Sequence, residues 1–520
     1  MNIAADFARQ ARRTPAALAL SWDAHTLAYG ELHDAVRRAA ALFAARGVEA
    51  DDRIAILLPN DPAFAVALLG AHWLGAVAAV LSPVWTATDA ARALADADAR
   101  LLVTTEALAQ AIGAPSDTTI CIDDAGAWLT IVSDAPAPGS EPVQRAANDA
   151  ATILYSSGTT GEPKGVVLTH GNLLFNARAK IRCCGITPAD RLAMVVPMAH
   201  CFGQNVVLFG ALLAGASVRI HPRFDAARTS REMATGDVTM LLAAPTAFAR
   251  LLALGDERGL RRLRYALTAA APLPADLAAA WHDATERPLC QGYGLTESSP
   301  FATYDDGTTG DGAVGTAISG VELRVAALDG DGWAREGESG EVSIRGPNVM
   351  QGYWRHERAT ADVLRDGWLR TGDIGWLSDG GRLHLADRID DVINVAGFKA
   401  WPSDVERVLT AHPAVHEAAA YAVPHATRGS AVAAAIVAAP DATLDLAVLY
   451  RWAGERLAGF QRPALLHAVP ALPRSPTGKV LRRTLAAGHR AAHGSADQGA
   501  IQVAPANADR DATGRPDASR

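Results

Sequence analysis

Short runs rich in Val, Ile and Leu alternate with Ala- and Arg-rich stretches along most of this chain. One such run, at 53–59, is followed almost at once by the long apolar stretch 62–81. A strand of a buried sheet gives the first pattern and a helix packed on that sheet gives the second, so the alternation predicts an α/β fold. The Gly- and Asp-rich stretch 321–346 interrupts it with runs typical of strands, and we expect a small antiparallel β subdomain there.

A second, smaller domain is predicted from about residue 390. The sequence indicates a helix over 403–412, strands over 417–424 and 430–439, and a helix over 446–457, which together suffice for an α+β domain. From about residue 489 the chain has few large apolar side chains, and this composition predicts a disordered tail. We therefore expect domains at 1–389 and 390–488, followed by a tail at 489–520.

Composition limits the partners and the compartment. The 520 residues carry a formal net charge of −8, which argues against a nucleic-acid coat because binding a phosphate backbone requires a basic face. The N-terminal residues predict an amphipathic helix and no signal peptide, and no run of about 18 apolar residues suggests a membrane span. Five irregularly placed cysteines fit neither a disulfide framework nor a zinc site. We expect a cytoplasmic protein with reduced thiols.

Lysine is rare in this chain: four lysines stand among 48 basic residues. Three of them, Lys164, Lys399 and Lys479, lie in loops that contain glycine. An ammonium contacts a phosphate as a compact point charge, whereas a guanidinium is a broad planar fork, so these loops are predicted to be places where arginine would not fit. Lys180 belongs to no motif, and we predict that it is a solvated surface charge.

The segment SSGTTGEPKG at 156–165 lies between two apolar runs. Its small residues let the backbone fold closely around an oxyanion, to which the hydroxyls, the backbone N–H groups and Lys164 would all donate. The spacing differs from that of a P-loop, because Lys164 follows Pro163 and precedes no Ser or Thr. We therefore predict a phosphate cradle on a fold other than that of the P-loop proteins.

Five ordered motifs resemble those of the adenylate-forming superfamily, which includes acyl-CoA synthetases, firefly luciferase and the adenylation domains of peptide synthetases. They are the cradle at 156–165, QGYGLTE at 291–297, RTGD at 370–373, DRIDDVINVAGF at 387–398 and PTGK at 476–479. The resemblance extends over about residues 10–487. It implies a large N-terminal domain of sheets with packed helices and a small β subdomain, followed by a small mobile α+β domain.

The resemblance also implies roles for single residues in a reaction in which a carboxylate attacks the α-phosphate of ATP. Such catalysis depends on positioning and charge neutralisation, with no protein nucleophile. Lys479 would bridge the carboxylate and the phosphate, Thr296 would hydrogen-bond the α-phosphate, and Glu297 would hold Mg²⁺. The other ATP contacts would be Ser156, Thr159, Thr160 and Lys164 at the β- and γ-phosphates, Tyr293 at adenine, and Asp373 and Arg388 at ribose. A plain core role for Tyr293 stays open.

A second half-reaction, in which the acyl group passes to a thiol, is implied by a family hinge position at Asp390. After the small domain turns about this hinge, Gly397 would leave room for the pantetheine arm of CoA beside the backbone. Lys399 would contact a phosphate of CoA, and a structural role for this lysine fits the sequence equally well.

Two further stretches bear on the acid. His200 lies in PMAHCFGQN at 197–205, which resembles the segment lining the acyl pocket; it would flank or gate the reacting carboxylate, or else be a hydrogen-bonded core histidine. The region lacks the Asp with which amino-acid-activating relatives pair the α-ammonium, which disfavours an α-amino acid. TAAAP at 268–272 stands where many relatives have a glycine pair, and the added methyl groups predict a narrower tunnel.

The sequence therefore predicts an acid–thiol ligase that uses ATP, Mg²⁺ and CoA to activate an apolar carboxylic acid, with a fatty acid favoured. The alternatives are an aromatic-acid CoA ligase, an enzyme that loads the phosphopantetheine of an acyl carrier protein, and a non-catalytic acyl-nucleotide binder on the same fold. The presence of Lys479, Glu297 and Asp373 argues against the binder, which would need no catalytic lysine on a moving domain.

Overall fold

The computed structural model describes residues 1–123, 141–157, 163–328, 332–425, 427–440, 442–475, 478–493 and 502–504. The chain divides into two compact units. The large unit comprises Met1–Leu385 with the stretch 476–478, and the small unit comprises Ala386–Ser475 with the residues from Lys479 onward. The mixture of helices and sheets confirms the predicted α/β class.

Two sheets of mainly parallel strands build the large unit. In spatial order, the first consists of Thr316–Ala317, Thr303–Asp305, Cys290–Tyr293, Tyr265–Thr268, Met240–Ala243, Arg191–Met194, Ser217–Ile220, Leu18–Trp22 and His25–Ala28. The second consists of Gly352–Tyr353, Pro163–Thr169, Ala150–Ser157, Val77–Val80, Arg53–Leu57, Leu101–Thr104 and Thr119–Cys121. Their central strands are buried on both faces, which is why they read as unbroken apolar runs in the sequence.

Helices cover these sheets and bury the apolar stripes that the alternation predicted. In the large unit they are Ile3–Arg13, Tyr29–Ala45, Pro62–Leu74, Ala87–Ala97, Glu106–Ile112, His170–Cys184, Gly210–Ala214, Ala226–Thr235, Pro245–Leu252, Glu257–Arg262, Ala275–Thr285 and Glu357–Val363. A π-helix spans Phe202–Phe209, and short 3₁₀ turns occur at Ser116–Thr118, Thr296–Ser298 and Asp379–Gly381.

Local sequence signals set where these helices begin and end. The Asp61 carboxylate accepts from the backbone N–H of Ala63, Pro62 occupies the first turn, and Gly75 ends the helix in the left-handed conformation. Thr169 and Asn172 cap the helix His170–Cys184 reciprocally, each side chain accepting from the other's backbone N–H. This capped helix directly follows the strand that leaves the phosphate-cradle segment.

The predicted β subdomain is confirmed. Strands Glu322–Ala326 and Gly340–Arg345 pair antiparallel, and Trp368–Ser378, Leu364–Arg365 and Arg382–Arg388 complete their sheet. The long strand Trp368–Ser378 carries the RTGD motif, so the motif lies within a paired strand.

The predicted elements of the small unit are confirmed within two residues at each end. The helices are Pro402–Thr410, Leu446–Arg456 and Arg482–His493. The sheet runs Phe398–Ala400, Ile393–Val395, Gly429–Ala438, Leu465–Ala468 and Gln502–Ala504, with Val415–His425 antiparallel to Gly429–Ala438. A 3₁₀ turn at Ile389–Asp391 holds the predicted hinge residue, Asp390.

Part of the predicted tail forms regular structure. The helix Arg482–His493 runs past residue 489, and Gln502–Ala504 adds a parallel strand beside Leu465–Ala468. The rest of the predicted tail lies outside the described residues. Among the helices that are described, none is both long and apolar enough to cross a membrane.

Candidate active site

The QGYG motif closes a turn that tolerates no side chain at its last glycine. Gly294 has a φ of +158°, and a Cβ on it would lie 1.5 Å from the carbonyl oxygen of Pro300. The backbone conformation between the strand Cys290–Tyr293 and the 3₁₀ turn Thr296–Ser298 is therefore tightly restricted. This restriction fixes Tyr293, Thr296 and Glu297 relative to one another.

Tyr293 and Asp373 meet although 80 positions separate them in the chain. The phenol of Tyr293 donates to Oδ2 of Asp373 at 2.6 Å, and both side chains are partly buried. An aromatic face beside a carboxylate suits a nucleoside, with the ring on the base and the carboxylate accepting from sugar hydroxyls. The sequence predicted that Tyr293 contacts adenine and that Asp373 contacts ribose. It did not predict that the two side chains are hydrogen-bonded to each other.

The strand segment that carries Asp373 is itself held by buried polar groups. The Thr371 hydroxyl donates to the carbonyl of Val342 at 2.8 Å and accepts from the Asp373 N–H at 3.1 Å. Glu341 accepts from the Gly372 N–H and from Arg370. The Thr-Gly-Asp segment of the strand is therefore fixed before any ligand arrives, as a preorganised site requires.

Glu297, Tyr353 and Lys164 form a second group. The phenol of Tyr353 donates to Oε1 of Glu297 at 2.9 Å, and the ammonium of Lys164 lies 5.4 Å from the centre of the Tyr353 ring, within cation–π range. Tyr353 thus links the lysine of the cradle to the acid of the QGYGLTE motif. Sequence reasoning missed Tyr353, whose strand Gly352–Tyr353 pairs with the cradle strand Pro163–Thr169.

The phosphate cradle is described at its two ends. Lys164 lies on the strand Pro163–Thr169, which pairs antiparallel with Ala150–Ser157, so the predicted loop joins two paired strands. A Cβ on Gly165 would lie 2.6 Å from the Ile153 side chain, which explains the glycine after the lysine. Thr159 and Thr160, and the side chain of Ser156, lie outside the described residues, and their proposed phosphate contacts stay predictions.

His200 lies two residues before the π-helix and is uncharged at neutral pH. Burial lowers the pKa of His200 to about 4. Its Nδ1 accepts from the backbone N–H of Phe202 at 3.2 Å, which leaves the proton on Nε2. His200 is therefore a neutral donor, and charge compensation for an anion must come from elsewhere.

Cys201 connects this segment to the QGYGLTE turn. Its Sγ lies 3.4 Å from Oγ1 of Thr296, a hydrogen-bonding distance for sulfur. Burial raises the pKa of the Cys201 thiol to about 12, so it remains a thiol and is no nucleophile. Both His200 and Thr296, which the sequence proposed separately, therefore adjoin one buried cysteine.

The prediction for Lys180 is wrong. Its side chain is 1% exposed, and its ammonium lies 3.5 Å from the centre of the Phe301 ring. Leu173, Ala177, Lys180 and Cys184 recur at helical spacing and are all buried, so Lys180 lies on the apolar stripe of its helix. The helical spacing of these residues in the sequence indicates a buried position for Lys180. Here that indication is correct and the general rule that charged side chains face solvent is not.

The segment TAAAP at 268–272 places an alanine in a strained backbone conformation. Ala270 has a φ of +72°, the left-handed region in which any Cβ costs about 1–2 kcal/mol. A glycine would occupy this position without strain. The narrower tunnel inferred from these alanines stays a prediction.

In the small unit, Gly397 and Lys399 lie on an exposed hairpin. Ala396 and Gly397, with φ of +51° and +90°, form a two-residue turn between the paired residues Val395 and Phe398. The N–H of Gly397 donates to the Asn394 side chain, and the position of a Cβ on Gly397 has nothing within 4 Å. Gly397 therefore has a backbone conformation that favours glycine, and the space where a side chain would lie is open.

The remaining predicted residues of the small unit are Lys479 and Arg388. Lys479 is exposed, and Ser475 contacts its backbone twice: the Ser475 N–H donates to the Lys479 carbonyl, and the Lys479 N–H donates to Ser475 Oγ. Arg388 ends the strand Arg382–Arg388 and is partly buried. Because Asp373 belongs to the large unit and Arg388 to the small one, their joint contact with a ribose stays a prediction.

Three comparisons with known proteins bear on this site. The AMP-binding enzyme family matches residues 7–354, and its C-terminal domain family matches residues 404–479. A feruloyl-CoA synthase of Amycolatopsis is 33% identical to this chain, over 91% of this chain and 96% of the synthase. The long-chain-fatty-acid–CoA ligase of Bacillus subtilis is 28% identical, over 91% of this chain and 92% of the ligase. The crystal structure of ATP-bound MatB from Rhodopseudomonas palustris superposes with a TM-score of 0.87 at 30% identity, over 94% of this chain and 99% of that one.

Proposed function

The chain belongs to the AMP-binding enzyme family, whose acyl-CoA ligases work through an acyl adenylate, and from that premise we propose that it joins an apolar carboxylic acid to CoA with ATP. The observation that carries the proposal is the convergence of two bonded pairs, Tyr293 with Asp373 and Tyr353 with Glu297, beside the lysine of the cradle. A base and ribose pocket next to a phosphate and metal pocket is what adenylation requires.

In the first step a carboxylate oxygen attacks the α-phosphorus of ATP and the bond to pyrophosphate breaks. Two anions must approach each other, so the protein supplies donors and fixed positions. Lys164 would hold the outer phosphates, Thr296 the α-phosphate, and Lys479 the carboxylate as it reacts. Tyr293 and Asp373 would hold the adenosine, with the ring on the base and the carboxylate accepting from the ribose hydroxyls.

Glu297 is suited to Mg²⁺. No group of three or more His, Cys, Asp or Glu side chains that could form a cage occurs among the described residues, and Mg²⁺ is usually held by one or two carboxylates together with substrate phosphates and water. The Glu297–Tyr353 bond fixes the orientation of one such carboxylate. Bound there, the ion would neutralise charge on the phosphates.

His200 would flank the reacting carboxylate as a neutral donor. Its pKa of about 4 means that it neither adds positive charge nor acts as an acid at neutral pH. Its role would be to orient a carboxylate oxygen through Nε2–H. We therefore assign the charge compensation to Lys479 and not to His200.

In the second step the sulfur of CoA attacks the acyl carbon, the bond to the AMP oxygen breaks, and the thiol proton passes to solvent. The exposed hairpin with Gly397 would leave room for the pantetheine arm, and Lys399 on the same hairpin would contact a phosphate of CoA. The carrier-protein alternative stays a prediction, since the relatives named above are CoA ligases.

Two predictions remain for the substrate acid: a fatty acid and an aromatic acid. A fatty acid was favoured by the sequence, whereas the feruloyl-CoA synthase, which shares more of its sequence with this chain than the fatty-acid ligase does, favours the aromatic alternative. Both are apolar acids, and both fit the absence of an acidic partner for an α-ammonium in the segment 197–205.

A product screen tests the proposal. The purified protein is incubated with ATP, Mg²⁺ and a panel of fatty and aromatic acids, with and without CoA, and the products are identified by mass spectrometry. We expect AMP, pyrophosphate and one class of acyl-CoA. Acyl adenylate that accumulates unchanged by CoA would favour a carrier protein as acceptor, and the absence of AMP and pyrophosphate with every acid would refute the ligase.

A further inference from the structure

The thiol of Cys201 is buried beside two groups of the candidate site. Its Sγ lies 3.4 Å from Oγ1 of Thr296 and 3.7 Å from Nδ1 of His200, and the residue is 1% exposed. A thiol carries one S–H donor, and its sulfur is also a weak acceptor. The direction of the hydrogen bond between the thiol and these two neighbours decides what Cys201 can do for the reaction.

The geometry favours Thr296 as the acceptor of the thiol proton. Nδ1 of a neutral imidazole has one lone pair, and at His200 the backbone N–H of Phe202 already donates to it at 3.2 Å. The hydroxyl oxygen of Thr296 is nearer to the sulfur and offers two lone pairs. Because burial raises the pKa of the thiol to about 12, the sulfur keeps its proton at neutral pH. Cys201 is therefore the donor and Thr296 Oγ1 the acceptor.

A hydrogen bond in this direction orients the threonine hydroxyl. Thr296 has a single O–H, and an oxygen that accepts from sulfur turns its own hydrogen away from the sulfur. A β-branched side chain has few χ1 rotamers, so the same contact favours one of them. Thr296 is partly exposed whereas Cys201 is buried, so the thiol holds from the core a residue that a ligand can reach from outside it.

The backbone after Thr296 is held by other groups. Side-chain amides that are fully buried donate to the carbonyl oxygens of Ser298, Ser299 and Phe301 at 2.8–3.4 Å. These amides belong to Asn176, Asn205 and Asn348. Since Asn205 stands four residues after Cys201, one segment contacts this stretch twice, with an amide on the backbone and a thiol on the hydroxyl. Removing the thiol should therefore release the hydroxyl and leave the backbone in place.

We propose that Cys201 is a positioning residue for adenylation: its S–H donates to Oγ1 of Thr296 and thereby directs the threonine hydroxyl at the α-phosphate of ATP. This inference rests on the proposed function, in which Thr296 donates to that phosphate. A donor that is oriented before the carboxylate attacks stabilises the charge of the transition state without being reorganised during the step. No bond to sulfur is made or broken, so Cys201 acts only through Thr296.

The test is a double-mutant cycle of Cys201→Ala and Thr296→Val. Adenylation is followed by acid-dependent exchange of pyrophosphate into ATP, with the fatty and aromatic acids of the product screen as probes. Thr296→Val should lower kcat by about 10²-fold, the order found when one donor to a developing charge is removed. Cys201→Ala should lower kcat by about threefold to tenfold, the effect of one net hydrogen bond. The KM for ATP should hardly change, because the adenosine and outer-phosphate contacts do not involve the thiol.

The double variant separates positioning from packing. In the Thr296→Val background the alanine substitution should cause no further loss, because the hydroxyl through which the thiol acts is absent. Cys201→Ser keeps a donor and should recover part of the kcat that alanine loses. Cys184→Ala, which removes another buried thiol, is the matched control and should leave exchange unchanged. Thermal unfolding reports on folding, and if Cys201→Ala does not fold, Cys201→Val, which fills the space of the thiol, takes its place in the cycle.

The outcomes distinguish this inference from the proposed function. An unchanged kcat in Cys201→Ala, or the same loss from this substitution in both threonine backgrounds, overturns the role of Cys201 and leaves the ligase intact. If Thr296→Val exchanges as fast as wild type, the role of Thr296 is refuted, and that of Cys201 with it, while the ligase again persists. If no acid of the panel supports exchange in wild type, the proposed function is refuted and this inference is refuted with it.

Discussion

The two units differ in how exposed their proposed site residues are. In the large unit, Tyr293, Asp373, Glu297 and Tyr353 are partly buried and hydrogen-bonded in two pairs, and the strand segment that carries Asp373 is held by further buried groups. In the small unit, Gly397, Lys399 and Lys479 are exposed, the first two on one hairpin. Under the proposed function, the large unit would hold ATP in a site formed in advance, and the small unit would supply groups needed only during single steps.

This contrast predicts different costs for substitution. A change in the large unit disturbs a network, so binding and catalysis should both suffer. A change in the small unit removes one exposed group, so one half-reaction should be lost while folding and the other half-reaction persist. The variants below test the contrast, from the largest expected effect to the smallest.

Lys479→Ala should abolish adenylation selectively. Because Lys479 is exposed, stability should be unchanged, whereas the lost charge at the reacting carboxylate should reduce acid-dependent pyrophosphate exchange by at least about 10²-fold, of the order found when one donor to a developing charge is removed. Transfer from supplied acyl adenylate to CoA should persist. Arg407→Ala, on an exposed helix position of the same unit, is the control. Equal loss of both half-reactions would contradict the assignment.

Gly397→Leu should block the thiol step. The space beside Gly397 is open within its own unit, so the expected penalty is about 1–2 kcal/mol of backbone strain at φ +90° and not a steric clash. Gly380→Leu is the matched control, since Gly380 also has a positive φ and open surroundings. We expect acyl-CoA formation to fall by about tenfold or more only for Gly397→Leu, a change that corresponds to about 1.4 kcal/mol. Normal acyl-CoA formation would contradict the role of Gly397.

Tyr353→Phe should weaken the metal and phosphate side of the large unit. Hydrogen bonds to charged groups contribute about 1.5–3 kcal/mol, so we expect roughly a tenfold loss in adenylation together with a higher requirement for Mg²⁺. Steady-state exchange measured against Mg²⁺ concentration gives both quantities. Tyr29→Phe is the control, because Tyr29 donates to backbone carbonyls far from this site in the sequence and tests loss of a buried hydroxyl alone. An unchanged Mg²⁺ requirement would show that Tyr353 is merely packing.

Acid should destabilise the large unit before the small one. Burial lowers the pKa of His72 and of His170 to about 3, so below pH 6.5 the unfolded chain binds protons that the folded unit does not. Stability must therefore fall as the pH drops from about 6.5 towards 3, by about 0.8 kcal/mol for each of these histidines at pH 6. Calorimetry of wild type and His72→Gln across this range measures the effect, with the exposed His282→Gln as control. A pH-independent unfolding temperature would contradict it.

The sequence was sufficient for the order of elements and for the motif residues, because strand, helix and turn signals are local. The small-unit helices and strands and the β subdomain lie where their patterns predicted. It was insufficient where partners come from distant positions. Tyr353 reaches Glu297 across 56 positions, and no motif marks it.

Lys180 was predicted wrongly for a different reason. Its helical spacing with Leu173, Ala177 and Cys184 placed it on the buried stripe, and its retention in an arginine-rich chain suggested a site where arginine would not fit. Either signal should have outweighed the expectation that a lone lysine is solvated. Whether a charge can be buried depends on what covers it, here the Phe301 ring, and that is decided by tertiary packing.

The most direct test of the acyl-adenylate route is an isotope measurement. The accepted acid is labelled with ¹⁸O in its carboxyl group and converted with ATP and CoA in unlabelled water, and the released AMP is analysed by mass spectrometry. Attack of the carboxylate on the α-phosphorus predicts one ¹⁸O atom in AMP, with none in pyrophosphate. Unlabelled AMP, or label in inorganic phosphate, would contradict the route and with it the roles assigned to the two units.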